Sequence, residues 1–345
     1  MSRAYLDHNA TTPLRPEARA AMMAALDLAN PSSVHAEGRA ARAVVERARA
    51  QVAGAVGCKP AEVVFTSGAT EAASVLARLP GGVRVDETAH DALRAHARAG
   101  ERGTLALGLA SGETGVVADV PAKADGSWPG GASLLLLDAT QALGRVPFAF
   151  GWSGADLAVV SSHKLGGPKG AGALIVRDGL EPPALLSGGG QELGRRAGTE
   201  NVPALAGFGA AAEAAVRDLA DGAWDRVAQM RDSLEAAVAL ASPETIFVGY
   251  QGARLPNTSV AVTRGWRGET QVMAMDLAGF AVSAGSACSS GKVRTSRALR
   301  AMGFDEEEAG CALRVSLGLG TTEDEVGRFA DAWATARRRR AVRAA

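Results

Sequence analysis

The chain has 345 residues, 47% hydrophobic and 21% charged, enough to bury a large core in one composite domain or in two. Its 37 Lys and Arg balance its 37 Asp and Glu, so no net field draws it to nucleic acid or to an anionic membrane. Three scattered cysteines exclude a disulfide framework and a zinc knuckle, which predicts a reducing, cytoplasmic setting without a metal site.

Structured-looking sequence begins at Tyr5-Leu6-Asp7, leaving no room for a signal peptide, and no apolar stretch is long and charge-free enough to span a membrane. From about residue 15 helix and strand alternate. Residues 38–56 read as an Ala/Arg-rich helix, 63–65 as a short buried strand, and a second helical stretch starts at Glu71. Residues 83–85, 105–107, 134–137, 157–160 and 174–176 read as further short apolar strands. This alternation implies parallel strands joined by crossover helices, with the sheet buried on both faces.

A long Ala-rich helical region runs from Asn201 to about Leu240, and beyond Pro243 the texture changes. Residues 257–262, 281–283 and 313–317 read as strands of a smaller α+β domain, with helices near 269–277, 297–302 and 322–337. The expected division is a large domain over 15–243 and a small one over 1–14 plus 244–345. The basic run Arg337, Arg338, Arg339 and Arg340 reads as a solvated helix end.

Ligands gather at the carboxyl ends of parallel strands, so polar residues directly after apolar runs are the first candidates. Residues 63–65 lead into Thr66-Ser67-Gly68-Ala69-Thr70-Glu71, which opens a helix whose free N–H groups suit a phosphate or form a plain helix cap. Residues 134–137 end in Asp138, with Gln141 in the same loop; the carboxylate suits a pyridinium nitrogen or caps the next turn. Residues 157–160 end in Ser161-Ser162-His163-Lys164, followed by Gly166-Gly167-Pro168-Lys169-Gly170. Lys164 can reach a cofactor aldehyde while its neighbours contact a phosphate. The glycines do not have the spacing of a nucleotide P-loop, and Lys169 reads as a surface residue.

Cys288 lies in Ser283-Ala284-Gly285-Ser286-Ala287-Cys288-Ser289-Ser290-Gly291, a run of small residues that cannot anchor a core. An exposed loop is expected there, able to carry one thiolate to a site and on to a partner. Cys58 and Cys311, in helix-like surroundings, read as small buried hydrophobes. Arg314 sits in the strand-like segment Leu313-Arg314-Val315-Ser316-Leu317, where its charge needs a carboxylate from either the protein or a substrate.

Together these residues resemble the cysteine desulfurases of the class V aminotransferase family, nearly end to end. The match includes Tyr5-Leu6-Asp7-His8-Asn9-Ala10-Thr11-Thr12, Asn30-Pro31-Ser32-Ser33 with His35 and Gly38, Phe65 to Glu71, Asp138-Ala139-Thr140-Gln141, Ser161 to Lys164, and Gly188-Gly189-Gly190-Gln191-Glu192 with Gly198-Thr199-Glu200-Asn201. The resemblance implies an α/β protein with the type I fold of pyridoxal-phosphate enzymes. It also implies a homodimer that converts L-cysteine to L-alanine. Sulfur would pass to Cys288 as a persulfide and then to an acceptor or iron–sulfur scaffold protein.

By the same resemblance, Lys164 holds pyridoxal 5'-phosphate as a Schiff base, Asp138 bonds its ring nitrogen, Gln141 its ring hydroxyl, and His90 stacks on the ring and shuttles protons. Thr70, Ser161 and His163 hold the phosphate, and Ala69 joins the cofactor-binding set. Thr199 is lent to the phosphate across the dimer interface, and Arg314 takes the substrate carboxylate. The chain departs from the family at Ala110-Ser111-Gly112, ahead of Glu113-Thr114-Gly115, where members usually carry two asparagines. Losing one such hydrogen bond, about 1 kcal/mol, would slow or retune the enzyme. The chain is also trimmed around residues 79–86 and at its end, which bears on partner docking. The rival readings are an aminotransferase or related lyase, such as a selenocysteine lyase, with Cys288 incidental, and a non-catalytic sulfur-transfer scaffold.

Overall fold

A computed structural model describes residues 3–284 and 295–344, with side chains as far as residue 340. The chain divides into two compact units, one of Met1–Thr11, Ser111–Val117 and Gly222–Ala345, the other of Thr12–Ala110 and Ala118–Asp221. It opens on β1 (Ala4–Tyr5), a two-residue strand of the smaller unit.

The larger unit is built on β2 (Val63–Thr66), β3 (Val83–Val85), β4 (Thr104–Gly108), β5 (Leu134–Asp138), β6 (Leu157–Ser161) and β7 (Gly172–Val176). They form one sheet in the order β2-β7-β6-β5-β4-β3. Neighbours from β3 to β6 run parallel, whereas β7 is antiparallel to both β6 and β2. β7 is thus the exception in a sheet that is mainly parallel, as expected, and its reversal has a simple cause. Residues 162–171 between β6 and β7 are too few for a crossover helix, which takes a dozen or more, so the strand folds back beside its predecessor. Leu135, Leu136 and Leu137 are wholly buried, as expected of a sheet covered on both faces.

The helix Ala36–Val56 buries Ala41, Val45, Ala48 and Val52, a three- and four-residue spacing that leaves Arg39, Arg42 and Arg47 exposed, while Arg49 turns inward to pair with the buried Glu192 at 2.7 Å. The His35 side chain caps its start by accepting from Gly38 N at 3.2 Å, and Gly57, at φ 73°, ends it. It packs on the helix Val202–Ala220 through small residues: a Cβ on Gly209 would fall 2.7 Å from Ala48 Cα. The Ala-rich region after Asn201 is two helices, Val202–Ala220 and Ala223–Ala241, rather than one. Gly222 separates them with φ 72°, a conformation that costs glycine nothing and ends a helix.

The smaller unit continues with β8 (Ile246–Phe247), β9 (Thr258–Val262), β10 (Phe280–Ala281), β11 (Ser283–Ala284) and β12 (Ala312–Ser316). An antiparallel sheet has the order β11-β12-β9-β8, while β1 pairs in parallel with β10. The last helix, Glu323–Ala344, starts with three acids and carries all its arginines but Arg328 in its second half, which suits the helix dipole at both ends. The Trp333 ring from this helix lies 5.4 Å from that of Trp266, and its Nε1 donates to Gln271 Oε1 at 3.0 Å. Among the described residues no helix is long and apolar enough to cross a membrane.

Candidate active site

In the larger unit β5 and β6 are parallel neighbours, with Asp138 in register with Val159. Asp138 therefore closes one strand two residues before Ser161 closes the next. Asp138 is nearly buried, and its Oδ1 accepts from Thr140 N at 2.9 Å, which turns the chain away from the sheet. Gln141 follows, also nearly buried, with its Oε1 bonded by the guanidinium of Arg145.

After Ser161 the chain makes one 3₁₀ turn, Ser162–Lys164. The main chain of this turn is held from outside. The Lys164 carbonyl accepts from Thr12 Oγ1 and from Arg145 Nη2, each at 3.1 Å, and Thr12 N donates to the His163 carbonyl at 3.0 Å. Arg15 Nε donates to the Leu165 carbonyl at 2.6 Å. The half-buried Lys164 side chain thus rises from a backbone fixed by four hydrogen bonds.

The turn after β2 reaches the same edge. Thr66 and Ser161 are both in register with Gly172, on either side of it. A Cβ on Gly172 would lie 2.6 Å from Gly68 Cα and 2.7 Å from the Val160 carbonyl oxygen, so only glycine leaves room for the Gly68 turn there. A Cβ on Gly68 would stand 4.0 Å from Ser161 Oγ, which places this turn beside Ser161. Ala69 and Thr70 begin the short helix Ala69–Ala73, with Thr70 exposed. Glu71 pairs with Arg196 at 2.8 Å. Burial pulls the Glu71 carboxyl up, but hydrogen bonds from Arg196 and Ser67 outweigh it and hold the group below its usual range.

His163 is pushed down to about 4, first by burial and then by the charges of Lys164, Lys169 and Arg145, so its ring is neutral at pH 7. His90 is exposed at the start of the helix Asp91–Arg94, where its Nδ1 accepts from Ala92 N at 3.1 Å. Thr199 is exposed beside Gly198, whose N–H donates to Gln191 Oε1 at 3.1 Å. A groove of about 500 Å³ lined by Leu109, Leu143, Phe148 and Trp152 contains none of the predicted site residues.

Arg314 belongs to the smaller unit and is 2% exposed. Its Nη2 is 2.8 Å from Asp7 Oδ1 and its Nη1 donates to the Gly112 carbonyl at 2.9 Å. Asp7 also accepts from Ser283 Oγ at 2.9 Å, and Ser283 is the residue opposite Arg314 on the neighbouring strand. Asp7 thus supplies one carboxylate to Arg314 from within the protein. Its Nε is buried and has no hydrogen-bond partner among the described residues. Gly112 contributes its carbonyl here and accepts from Asn9 Nδ2 as well.

Cys288 lies outside the described residues. Of the other cysteines, Cys311 is buried, and burial followed by the nearby Glu62 pushes the Cys58 thiol up to about 12. Cys58 is therefore a poor nucleophile at neutral pH.

The larger unit brings Asp138, Gln141, Ser161, His163, Lys164 and the Gly68 turn to one edge of its sheet. The sequence singles out no role for Arg145, nor for Thr12 and Asp7, although the latter two stand in the N-terminal motif. Arg145 stands four residues after Gln141, a spacing at which an amide and a cation can meet on one helical turn. Thr12 and Asp7 belong to the N-terminal motif, but their partners lie at long sequence separations, which the motif does not reveal.

An acid and a lysine ending adjacent parallel strands, with a glycine-permitted turn beside them, suit a cofactor enzyme of the type I fold. The model of the class V aminotransferases matches residues 4–90 and 84–329, and the chain belongs to this family. A cysteine desulfurase of a Frankia species is 40% identical, the alignment covering 95% of this chain and 89% of that protein. One from Cereibacter sphaeroides is 37% identical over 95% and 94%. Among solved structures, a NifS-like protein from Rickettsia africae superimposes with a TM-score of 0.85 at 27% identity, covering 96% of this chain and 98% of its own.

Proposed function

We propose that this chain is a pyridoxal-phosphate-dependent cysteine desulfurase that turns L-cysteine into L-alanine and collects the sulfur on Cys288 as a persulfide. The observation that carries this reading is the placement of Lys164 and Asp138 at the ends of adjacent parallel strands, with the lysine turn held from outside. The donor set fits the cofactor: a carboxylate for a ring nitrogen, an amide for a ring oxygen, a lysine for an aldehyde, and a neutral imidazole and hydroxyls for a phosphate. The cradle at Gly68, open only because residue 172 is glycine, fits it as well.

Bound through Lys164, the cofactor supplies an electron sink for the carbon next to the substrate amine. Asp138 holds a proton on the ring nitrogen, and Gln141 donates to the ring hydroxyl oxygen. Thr70, Ser161 and His163 bond the phosphate, with Ala69 beside them at the start of the short helix. Neutral His163 donates one N–H there without adding a charge. His90 lies against the ring and moves protons, and Thr199 serves the site of the partner subunit in a homodimer. Arg314 takes the substrate carboxylate, for which its buried Nε leaves a donor.

Lys164, displaced by the substrate amine, takes the substrate Cα proton on Nζ. Cys288 Sγ, as thiolate, attacks the substrate sulfur. An S–S bond forms as the Cβ–S bond breaks; its electron pair stays with the carbon fragment, which gains a proton and leaves as L-alanine. The persulfide then passes to a sulfur-acceptor or iron–sulfur scaffold protein in the cytoplasm.

Borohydride reduction of the cofactor-loaded protein tests the cofactor assignment. The expected result is one stable label on the peptide containing Lys164, absent in Lys164→Ala. A wild-type protein that takes up no cofactor, or is labelled elsewhere, contradicts it.

A further inference from the structure

We propose that Arg145 is a positioning residue that fixes which end of the Gln141 amide faces the cofactor's ring hydroxyl, and so holds that oxygen as a phenolate. The proposal rests on the cofactor reading above and concerns a residue to which that reading gives no role.

Arg145 is 3% exposed, in the turn that follows β5. A guanidinium so deeply buried needs acceptors, and two of those it has belong to the candidate site: Gln141 Oε1 and the Lys164 carbonyl, the latter at 3.1 Å. Arginine donates and never accepts. Reversing the Gln141 amide would set its N–H₂ against the guanidinium, donor against donor. The amide is therefore oriented by chemistry, with oxygen toward Arg145 and N–H₂ turned away.

An amide N–H₂ stabilises an ionised hydroxyl, whereas an amide oxygen would favour the protonated one. Without Arg145 the Gln141 amide loses the donor that fixes its oxygen. The same guanidinium ties the Gln141 turn to the Lys164 turn, so one cation sets both the ring's hydrogen-bond donor and the backbone that carries the lysine. Its four-residue separation from Gln141 lets a single turn of chain present both groups.

The test is the absorbance of the bound cofactor with pH, together with its affinity for apoprotein. Arg145→Met should shift the spectrum from the phenolate-type toward the hydroxyl-type band and weaken cofactor affinity about tenfold, the scale of one charge-assisted hydrogen bond. Arg145→Lys, still a donor, should restore most of the wild-type spectrum. On a Gln141→Leu background, Arg145→Met should add no further spectral shift. Gln141→Glu keeps an acceptor for Arg145 but removes the donor, so it should reproduce the shift even if Arg145→Met does not fold. A wild-type spectrum and affinity in Arg145→Met or in Gln141→Glu overturns the proposal, as does an undiminished shift on the Gln141→Leu background. Failure of wild-type protein to bind cofactor would instead defeat the parent reading.

Discussion

Asp7 and Arg314, 307 residues apart in sequence, form a 2.8 Å ion pair inside the smaller unit. Ser283 Oγ holds the second carboxylate oxygen of Asp7, so an acid from the N-terminal motif joins two residues that face each other across β11 and β12. Removing Asp7 would leave a buried cation without its counter-charge. Asp7→Ala should cost about 3–5 kcal/mol in urea unfolding, and Asp7→Asn, which keeps an acceptor, clearly less. With the guanidinium less firmly held, Asp7→Asn should raise KM for L-cysteine several-fold and change kcat little. An unchanged KM would separate Asp7 from substrate binding.

The Gly172 prediction concerns backbone rather than charge. Gly172→Ala puts a methyl group 2.6 Å from Gly68 Cα, too close for a Cβ, and should push the phosphate-side turn outward. Cofactor titration should show affinity lowered by at least about tenfold, the scale of one lost phosphate hydrogen bond. Gly170→Ala is the control, since its Cβ meets nothing within 4 Å and its φ of 79° costs only about 1–2 kcal/mol of strain. It should leave affinity near wild type.

His163 gives a pH signature. Its folded-state pKa, about 4, lies below the ordinary value of 6.5, so the folded protein binds fewer protons than the unfolded chain between these values. Its contribution to stability is fully present above pH 6.5 and is lost as pH falls toward 4. Unfolding of the cofactor-free protein should show a steeper loss over that window for wild type than for His163→Gln. Parallel curves would place the titration elsewhere.

Much of this architecture can be read in the sequence, because the strands are short apolar runs closed by polar residues and the helices follow a three- and four-residue apolar spacing. Lys164, Asp138 and Ser161 stand where such runs end, so their common edge follows from topology alone. The reversal of β7 was hidden because burial on both faces reads alike in parallel and antiparallel strands; only the short 162–171 connection marks it. The break at Gly222 was masked by alanines on either side that favour helix throughout. The roles of Thr12 and Asp7 were illegible for another reason: both stand in the N-terminal motif, but each acts through a hydrogen bond to a residue chosen by the tertiary fold, whereas Arg145 meets Gln141 within one turn of chain.

The cysteines should differ sharply in behaviour. Burial keeps the Cys58 thiol protonated far above neutral pH, so Cys58→Ser should leave desulfuration unaltered. Alkylation at pH 7.5 should modify Cys288 well before Cys58, as peptide mapping would show. Early modification of Cys58 would contradict its assignment as an inert thiol.

The most direct measurement is single-turnover and steady-state reaction of the cofactor-loaded protein with L-cysteine, following L-alanine and protein-bound persulfide together. One persulfide on Cys288 should form for each alanine in the first turnover, and Cys288→Ala should keep the cofactor while losing both products. Alanine and sulfide formation undiminished in Cys288→Ala would contradict the account.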